Sequence, residues 1–263
     1  MSDIEKVISY WNKRPCNIFH SQKEIGTREY FDEIEARKYF VEPHIPKFAG
    51  FEKWKGKRVL EVGCGIGTDT INFARNGASI TAVDISEKSL EIAKTRAEVF
   101  GVSNKITFYR CNAEKLWPTV PREGYDLVYS FGVIHHTPNP RKVIEEVLQY
   151  YTHRETILKV MVYHKHSLKA LNMFMGFDNT TEAQEGCPVA YTYTRRSLKH
   201  FLKGFDIQQM DVEHIFPYVL SEYINYSYVK KWPYQIMPPS WFQWLEHRVG
   251  WHLCITAKKK DQL

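Results

Sequence analysis

The chain has 263 residues, of which 43% are hydrophobic, 25% charged and 14% aromatic. This composition excludes a disordered or low-complexity protein, and no apolar run approaches the roughly 18 residues that a membrane helix needs. The net charge of +6 is spread along the chain without a basic stripe, which argues against a nucleic-acid partner. Because the N-terminus lacks a secretory signal, we expect a cytoplasmic protein with no membrane association.

The five cysteines lie far apart and form no CxxC pair. An odd number at such spacing favours neither a disulfide framework nor a structural zinc site. The pair His164-x-His166 has no further ligand close to it in the sequence, so the spacing of the histidines predicts no metal site.

The first 55 residues are polar and aromatic, and they predict helices over Asp3–Tyr10 and Phe31–Tyr39 with a turn-rich loop between them. From residue 56 onwards, strands and helices alternate. Strands are predicted at Arg58–Val62, Ser79–Val83, Lys105–Arg110, Tyr125–Ser130, Thr156–Tyr163, Phe205–Met210 and Gly250–Ala257. Helices are predicted at Thr68–Asn76, from Glu87 to the glycine at 101, at Arg141–Tyr151 and at Arg195–Lys203.

This alternation implies right-handed crossovers and therefore a doubly wound, mostly parallel, seven-stranded α/β sheet of the Rossmann type. We expect residues 1–55 to form a helical lid and residues 56–210 and 250–263 to form the core. Residues 211–249 are predicted to be a cap insertion before the last strand, within the same domain. Ten aromatic residues lie in the 41 positions 209–249. They predict either a pocket wall for a partly apolar small molecule, or a dimer interface or satellite core.

The most informative stretch follows the first predicted strand, where glycines occupy positions 63, 65 and 67. They allow a sharp turn and a close approach of a ligand to the backbone. Glu61 is an acid near the end of an apolar strand, where a carboxylate is costly without a partner. Asp84 ends the second strand, where a carboxylate can accept both hydroxyls of a ribose. The third glycine comes one residue too early for the G-x-G-x-x-G pattern, which, with Glu61, disfavours an NAD enzyme.

These residues belong to a longer series of motifs between residues 56 and 163: LEVGCGIGTD, AVDIS, CNAEKL and YDLVYSFGVIHHTPNP, in this order. The series resembles the class I S-adenosylmethionine (SAM)-dependent methyltransferases, above all the small-molecule methyltransferases with two histidines after the fourth strand. The resemblance implies SAM as the cofactor, S-adenosylhomocysteine (SAH) as the product and no metal.

The resemblance also implies which residues bind the cofactor. They are Glu61, Gly63, Cys64, Gly65, Gly67, Asp84, Ile85, Asn112, Ala113, Glu114, Phe131 and Gly132. In this assignment Glu61 faces the amino group of SAM, Asp84 holds the ribose, and Ile85 packs on the adenine. The family often has an acid where this chain has Asn112, whose amide oxygen can still accept from the adenine amine.

Methyl transfer to a hydroxyl or an ammonium group needs a base, because the acceptor loses a proton. His135 and His136 follow the fourth strand, at the edge where the sites of open α/β sheets gather, so either is a candidate general base. The alternative is that one of them packs beneath the following turn and orients it. Five further polar residues are candidates for contacting the substrate: Arg14, His20, Tyr30, Tyr163 and His164.

We therefore expect a methyltransferase that acts on an oxygen or nitrogen atom of a small metabolite, with homodimerisation left open. One alternative is an RNA or protein methyltransferase. Its base-methylating members carry an Asn/Asp-Pro-Pro-Tyr/Phe tetrad after the fourth strand, where this chain has Ser130-Phe131-Gly132-Val133. Another alternative is a SAM-binding protein without transferase activity, in which the histidines are structural.

Overall fold

The computed structural model describes residues 2–176 and 186–261. These residues form an eight-stranded sheet with the order β3-β2-β1-β4-β5-β8-β7, and the short β6 pairs with β5. The strands are β1 (Arg58–Val62), β2 (Ser79–Asp84), β3 (Ile106–Arg110), β4 (Tyr125–Phe131), β5 (Thr152–His164), β6 (Thr192–Tyr193), β7 (Phe205–Glu213) and β8 (His252–Lys259). β8 runs antiparallel to both β5 and β7, whereas the other pairs are parallel.

Ten α-helices surround the sheet in the described part of the chain. They are α1 (Asp3–Lys13), α2 (Arg28–Val41), α3 (His44–Ala49), α4 (Thr68–Arg75), α5 (Glu87–Val99), α6 (Pro140–Tyr150), α7 (Leu168–Phe174), α8 (Arg195–Phe201), α9 (Leu220–Ile224) and α10 (Pro239–Val249). Over residues 2–176 and 186–261, none of the helices has the length and apolar character needed to cross a membrane.

The predicted mostly parallel, Rossmann-like α/β sheet is confirmed, and all seven predicted strands are present. The sequence did not predict β6, α3, α7 or α9, because elements this short show no full hydrophobic period. It also missed α10, which has no buried residue and therefore no apolar face to mark it. The strand predicted at Phe205–Met210 is longer in the structure. β7 continues to Glu213, which pairs with His252, so the aromatic segment begins after Glu213 and not at residue 211.

The central parallel strands β1, β2 and β4 are mostly buried on both faces, as a covered sheet requires. Alternate side chains of β1 enter different clusters: Leu60 and Val62 pack with residues of α6 and α8, whereas Val59 packs with residues of α4 and α5. This period of two also places Glu61 on the same face as Val59. The order of the strands reverses between β1 and β4, and their C-terminal ends open a crevice there.

The N-terminal segment is joined to this core by a fully buried guanidinium. Arg96 on α5 donates to the hydroxyl of Thr68 at 2.7 Å, and to the carbonyl of Phe31 and the carboxylate of Glu35 at 3.2 Å each. Because Phe31 and Glu35 belong to α2, one side chain links α2 to the first turn of α4.

Replacing this guanidinium tests its contribution to stability. We expect Arg96→Met to lower the free energy of unfolding by about 3 kcal/mol, because it leaves Glu35 and the Phe31 carbonyl without their buried partner. Arg110→Met is the matched control, since Arg110 forms an exposed pair with Glu87 and its loss should cost less than about 1 kcal/mol. Urea unfolding measures both. Equal midpoints for the two variants would contradict the assignment.

Candidate active site

The turn from β1 into α4 has three glycines in the left-handed region, with φ of 84° at Gly63, 53° at Gly65 and 79° at Gly67. A side chain would meet different surroundings at each of the three positions. A Cβ at Gly63 would lie 2.2 Å from the side chain of Val133, and one at Gly67 would lie 3.1 Å from Ala93. A Cβ at Gly65 would meet nothing within 4 Å, because this residue faces open space. The turn therefore packs tightly on both sides and opens at its centre.

Asp84, at the end of β2, is held by this turn. One carboxylate oxygen accepts the amide of Gly65 and the other accepts the amide of Ser86, both at 2.8 Å. Burial raises the pKa of Asp84 above its ordinary value, and the hydrogen bonds from these amides oppose the rise. Two backbone donors thus orient a carboxylate that lines a cavity.

The cavity has a volume of about 500 Å³ and lies at the C-terminal ends of β1, β2 and β4. This volume is within the range of small-molecule and cofactor sites. Nine of the twelve residues that the sequence assigned to the cofactor line it: Gly63, Cys64, Gly65, Asp84, Ile85, Asn112, Ala113, Phe131 and Gly132. The local chain geometry after three strands therefore brings most of the predicted set together.

The other three predicted cofactor residues do not line the cavity. Glu61 is 3% exposed and accepts the hydroxyl of Thr70 at 2.6 Å, so it contacts α4. Glu114 accepts the amide of Asn139 at 2.6 Å and thereby fixes the start of α6. Gly67 immediately precedes α4. Glu61 contacts α4 from within β1, and Glu114 and Gly67 lie in the loops beside the cavity, so the cofactor role of these three residues stays a prediction.

His136 lines the cavity and is almost fully buried. Its Nδ1 lies 2.8 Å from the carbonyl of Val189, and a carbonyl can only accept, so Nδ1 carries the ring proton. Burial lowers the pKa of His136 to about 4, which leaves the ring neutral at pH 7. Its Nε2 is therefore the acceptor nitrogen of the ring, and the hydroxyl of Tyr163, 3.3 Å away, donates to it.

His135 has no exposed surface and does not line the cavity. Neither of its ring nitrogens has a hydrogen-bond partner among the described residues, and its ring packs 3.8 Å from the ring of Tyr163. Burial lowers the pKa of His135 well below its ordinary value. Of the two alternatives for the histidine pair, the burial of His135 favours packing for this residue, and a base among the two stays a prediction.

Of the five predicted substrate residues, His20 and Tyr163 line the cavity. Tyr30 is fully buried and donates its hydroxyl to the carbonyl of Ile18 at 2.8 Å. His164 is 5% exposed, with Nδ1 3.1 Å from the carbonyl of Gly250. Arg14 is not among the lining residues either. These three residues are not among those that line the cavity, and their contact with a substrate stays a prediction.

The outer wall of the cavity combines the N-terminal segment with the aromatic segment after β7. Phe216, Tyr223 and Tyr234 line the cavity. Tyr223 and Tyr226 sandwich the guanidinium of Arg37 on α2, each ring centroid 4.1 Å away, and Arg37 donates to the carbonyl of Tyr223.

The aromatic segment thus has two kinds of side chain. Some form the predicted pocket wall, whereas Trp232, Trp241 and Trp244 are 75%, 69% and 59% exposed. The pocket-wall alternative holds for part of the segment, and homodimerisation stays a prediction.

Sequence reasoning missed a group of polar and aromatic lining residues away from the glycine turn: Trp11, Lys38, Glu42, His214 and His252. They come from the N-terminal segment, from the end of β7 and from β8. No local spacing relates them, so the sequence carried no signal for their meeting.

The profile of the methyltransferase domain family matches residues 53–216, more than half of the chain. The chain belongs to this family. The resemblance of its motifs to class I SAM-dependent methyltransferases is thereby confirmed. The match includes the glycine turn, Asp84, the β4 motif and the first residues after β7.

Two curated methyltransferases illustrate how far the likeness extends. The ubiquinone biosynthesis O-methyltransferase of Dechloromonas aromatica is 38% identical over 89 residues, which are 34% of this chain and 37% of that protein. The enzyme of the same name from Vibrio cholerae serotype O1 (strain M66-2) is 37% identical over 90 residues, 34% of this chain and 36% of that protein. The match therefore spans little more than a third of these relatives.

Solved structures are similar over nearly the whole chain. Magnesium protoporphyrin IX methyltransferase from Synechocystis PCC 6803 with bound SAH has a TM-score of 0.63 at 18% identity, covering 98% of this chain and 100% of that one. The [4+2]-cyclase SpnF has a TM-score of 0.59 at 18% identity, covering 98% and 94%. At such identities the likeness shows the fold of this methyltransferase-domain protein and nothing of its substrate.

The burial of the Glu61 carboxyl predicts how the stability of the protein depends on pH. Burial raises the pKa of Glu61 to about 8, whereas the unfolded chain releases this proton near pH 4.5. Between pH 4.5 and about 8 the folded protein keeps a proton on Glu61 that the unfolded chain has lost. The stability of the wild-type protein therefore falls as the pH rises through this range, by up to about 1.4 kcal/mol per pH unit.

We expect Glu61→Gln to remove this contribution, so that the variant gains stability relative to wild type between pH 5 and pH 8. Urea unfolding at a series of pH values measures it. Glu91→Gln, which removes an exposed carboxyl, should leave the slope unchanged. Parallel stability curves for wild type and Glu61→Gln would contradict the prediction.

Proposed function

We propose that this methyltransferase-domain protein transfers the methyl group of SAM to an oxygen atom of a small, partly apolar metabolite. One observation carries the proposal: a single cavity of about 500 Å³ joins the glycine turn and Asp84 to His136, Tyr163 and an aromatic wall. A cofactor and a small acceptor can meet in this one space. Oxygen is the favoured acceptor atom because the similar curated proteins are named O-methyltransferases.

The cavity residues fit the adenosyl and methionine parts of SAM. The open space over Gly65 admits a ligand next to the backbone, and the carboxylate of Asp84 is held ready for hydroxyl donors. Asn112 lies at the proposed adenine edge, although its amide oxygen already accepts the amide of Glu114 at 2.9 Å. When bound, SAM supplies an electrophilic methyl group on a positively charged sulfur.

The protein's own contribution is to position the acceptor, exclude water and remove a proton. Nε2 of His136 is the proton acceptor in this proposal, because Val189 fixes the proton of the neutral ring on Nδ1. The hydroxyl of Tyr163 lies beside Nε2 and can pass on the proton of the acceptor. The Trp11 ring packs edge-on against His136 at 5.5 Å and covers this base.

Calorimetry with SAM tests the cofactor part of the proposal. We expect wild type to bind SAM and not NAD, and Asp84→Asn to bind SAM at least about tenfold more weakly, a loss of about 1.4 kcal/mol or more. Asp126→Asn is the matched control, because Asp126 lies at the other end of the sheet and accepts the amide of Arg58. Unchanged SAM affinity in Asp84→Asn, or binding of NAD, would contradict the cofactor assignment.

Transfer of a radiolabelled methyl group tests the base. With a panel of small phenols, alcohols and amines as acceptors, we expect His136→Gln to lower kcat about 10²- to 10⁴-fold while SAM affinity stays unchanged. His200→Gln, at an exposed position on α8, serves as the control.

RNA and unfolded protein are included as further acceptors. Label in either of these, and not in the small molecules, would overturn the substrate class. SAM binding without turnover on any acceptor would favour a cofactor-binding protein without transferase activity.

A further inference from the structure

Three histidines converge beside the cavity, and two of them, His214 and His252, line it. His44 begins α3, His214 follows β7, and His252 begins β8. One ring nitrogen of each lies within 4.8 Å of the other two, and Nε2 of His44 lies 3.0 Å from Nδ1 of His252. Chain segments separated by about 170 and 40 residues thus bring three imidazoles to one point.

The backbone of His214 is strained. Its φ is 71°, in the left-handed region that a residue with a Cβ rarely adopts, and the amide of Trp251 donates to its carbonyl at 2.8 Å. Such a conformation costs on the order of 1–3 kcal/mol and tends to occur at functional sites. Here it is the conformation in which the ring of His214 stacks on His252, with centroids 4.5 Å apart.

A carboxyl group lies beside the cluster. An oxygen of Glu42 is 3.7 Å from Nδ1 of His252. A cation among the imidazoles would be partly neutralised by this carboxylate.

We propose that His44, His214 and His252 bind one divalent transition-metal ion, with Glu42 as the neighbouring carboxylate. Imidazole ligands suit zinc, copper, iron and nickel, and three protein ligands with one open position are typical of catalytic zinc. Zinc–nitrogen distances of about 2.0–2.1 Å would place the ligating nitrogens about 3.4 Å apart in a tetrahedral site. The His44–His252 nitrogens, 3.0 Å apart, are already inside that separation, and a nitrogen of His214 lies within 4.8 Å of both.

The site lies next to the proposed point of methyl transfer. The rings of His44 and His252 are 5.9 Å and 5.6 Å from the ring of Phe131, at the C-terminal end of β4. An ion held here would act on the acceptor as a Lewis acid and lower the pKa of its hydroxyl. This catalytic part rests on the proposed function, whereas metal binding itself does not.

Metal uptake by the full chain tests the inference. Protein stripped with a chelator is titrated with Zn²⁺ against a chromophoric competitor, and with Co²⁺ as a spectroscopic probe. We expect one ion per chain and visible Co²⁺ absorption bands of a nitrogen-ligated site. His214→Asn, which keeps a residue that tolerates the left-handed backbone, and His252→Gln should each weaken Zn²⁺ binding at least tenfold. His200→Ala is the matched control and should bind like wild type.

The wild-type titration decides the question even where a variant fails to fold by circular dichroism. No uptake by wild type, or equal uptake by wild type and both ligand variants, would overturn the metal site. Calorimetry with SAM on the stripped protein separates this result from the proposed function. SAM binding without zinc uptake would refute only the metal site, and zinc uptake without SAM binding would refute only the proposed function.

Discussion

The cavity depends on the polar side chains that hold α2 between the sheet and the aromatic segment. On the core side, Nζ of Lys38 lies 2.7 Å from the carboxylate of Asp69, which also accepts the hydroxyls of Tyr129 and Tyr39. Burial lowers the pKa of Lys38, but the charge and hydrogen bond of Asp69 outweigh that effect and raise it. On the other side, the guanidinium of Arg37 lies between two tyrosine rings. Buried charges are costly to leave unpaired, so these contacts fix α2 in one place.

The inner end of the cavity depends instead on local geometry at the edge of the sheet. The left-handed backbone of Gly65 brings its amide to Asp84, which is the last residue of the neighbouring strand. These two residues meet because parallel strands end at the same edge where their order reverses. A cofactor site built in this way needs little from the segments outside residues 56–163.

The residues that the sequence placed correctly are those whose positions follow from short-range rules. Asp84 and Phe131 end strands, and the glycines mark the turn, so their common edge could be predicted. The predicted residues that do not line the cavity are those whose side chains could turn to either of two neighbours. Glu61 lies on the same face of the sheet as Val59, and the hydroxyl of Thr70 on α4 donates a hydrogen bond to its carboxyl group. Tyr30 and His164 are polar residues near the cavity whose polar atoms bond to nearby backbone carbonyls instead.

The sequence by itself therefore determined the succession of strands and helices along the chain, the glycine turn and the family, because hydrophobic period and backbone sterics act over a few residues. Only the tertiary structure decided what surrounds the other end of the cavity. Whether His136 or His135 faces the cavity depends on how Tyr163 and Val189 pack around them. The meeting of His44, His214 and His252 depends on the antiparallel pairing of β7 with β8 and on α2 leading into α3. These contacts join residues far apart in the chain, and no local pattern encodes them.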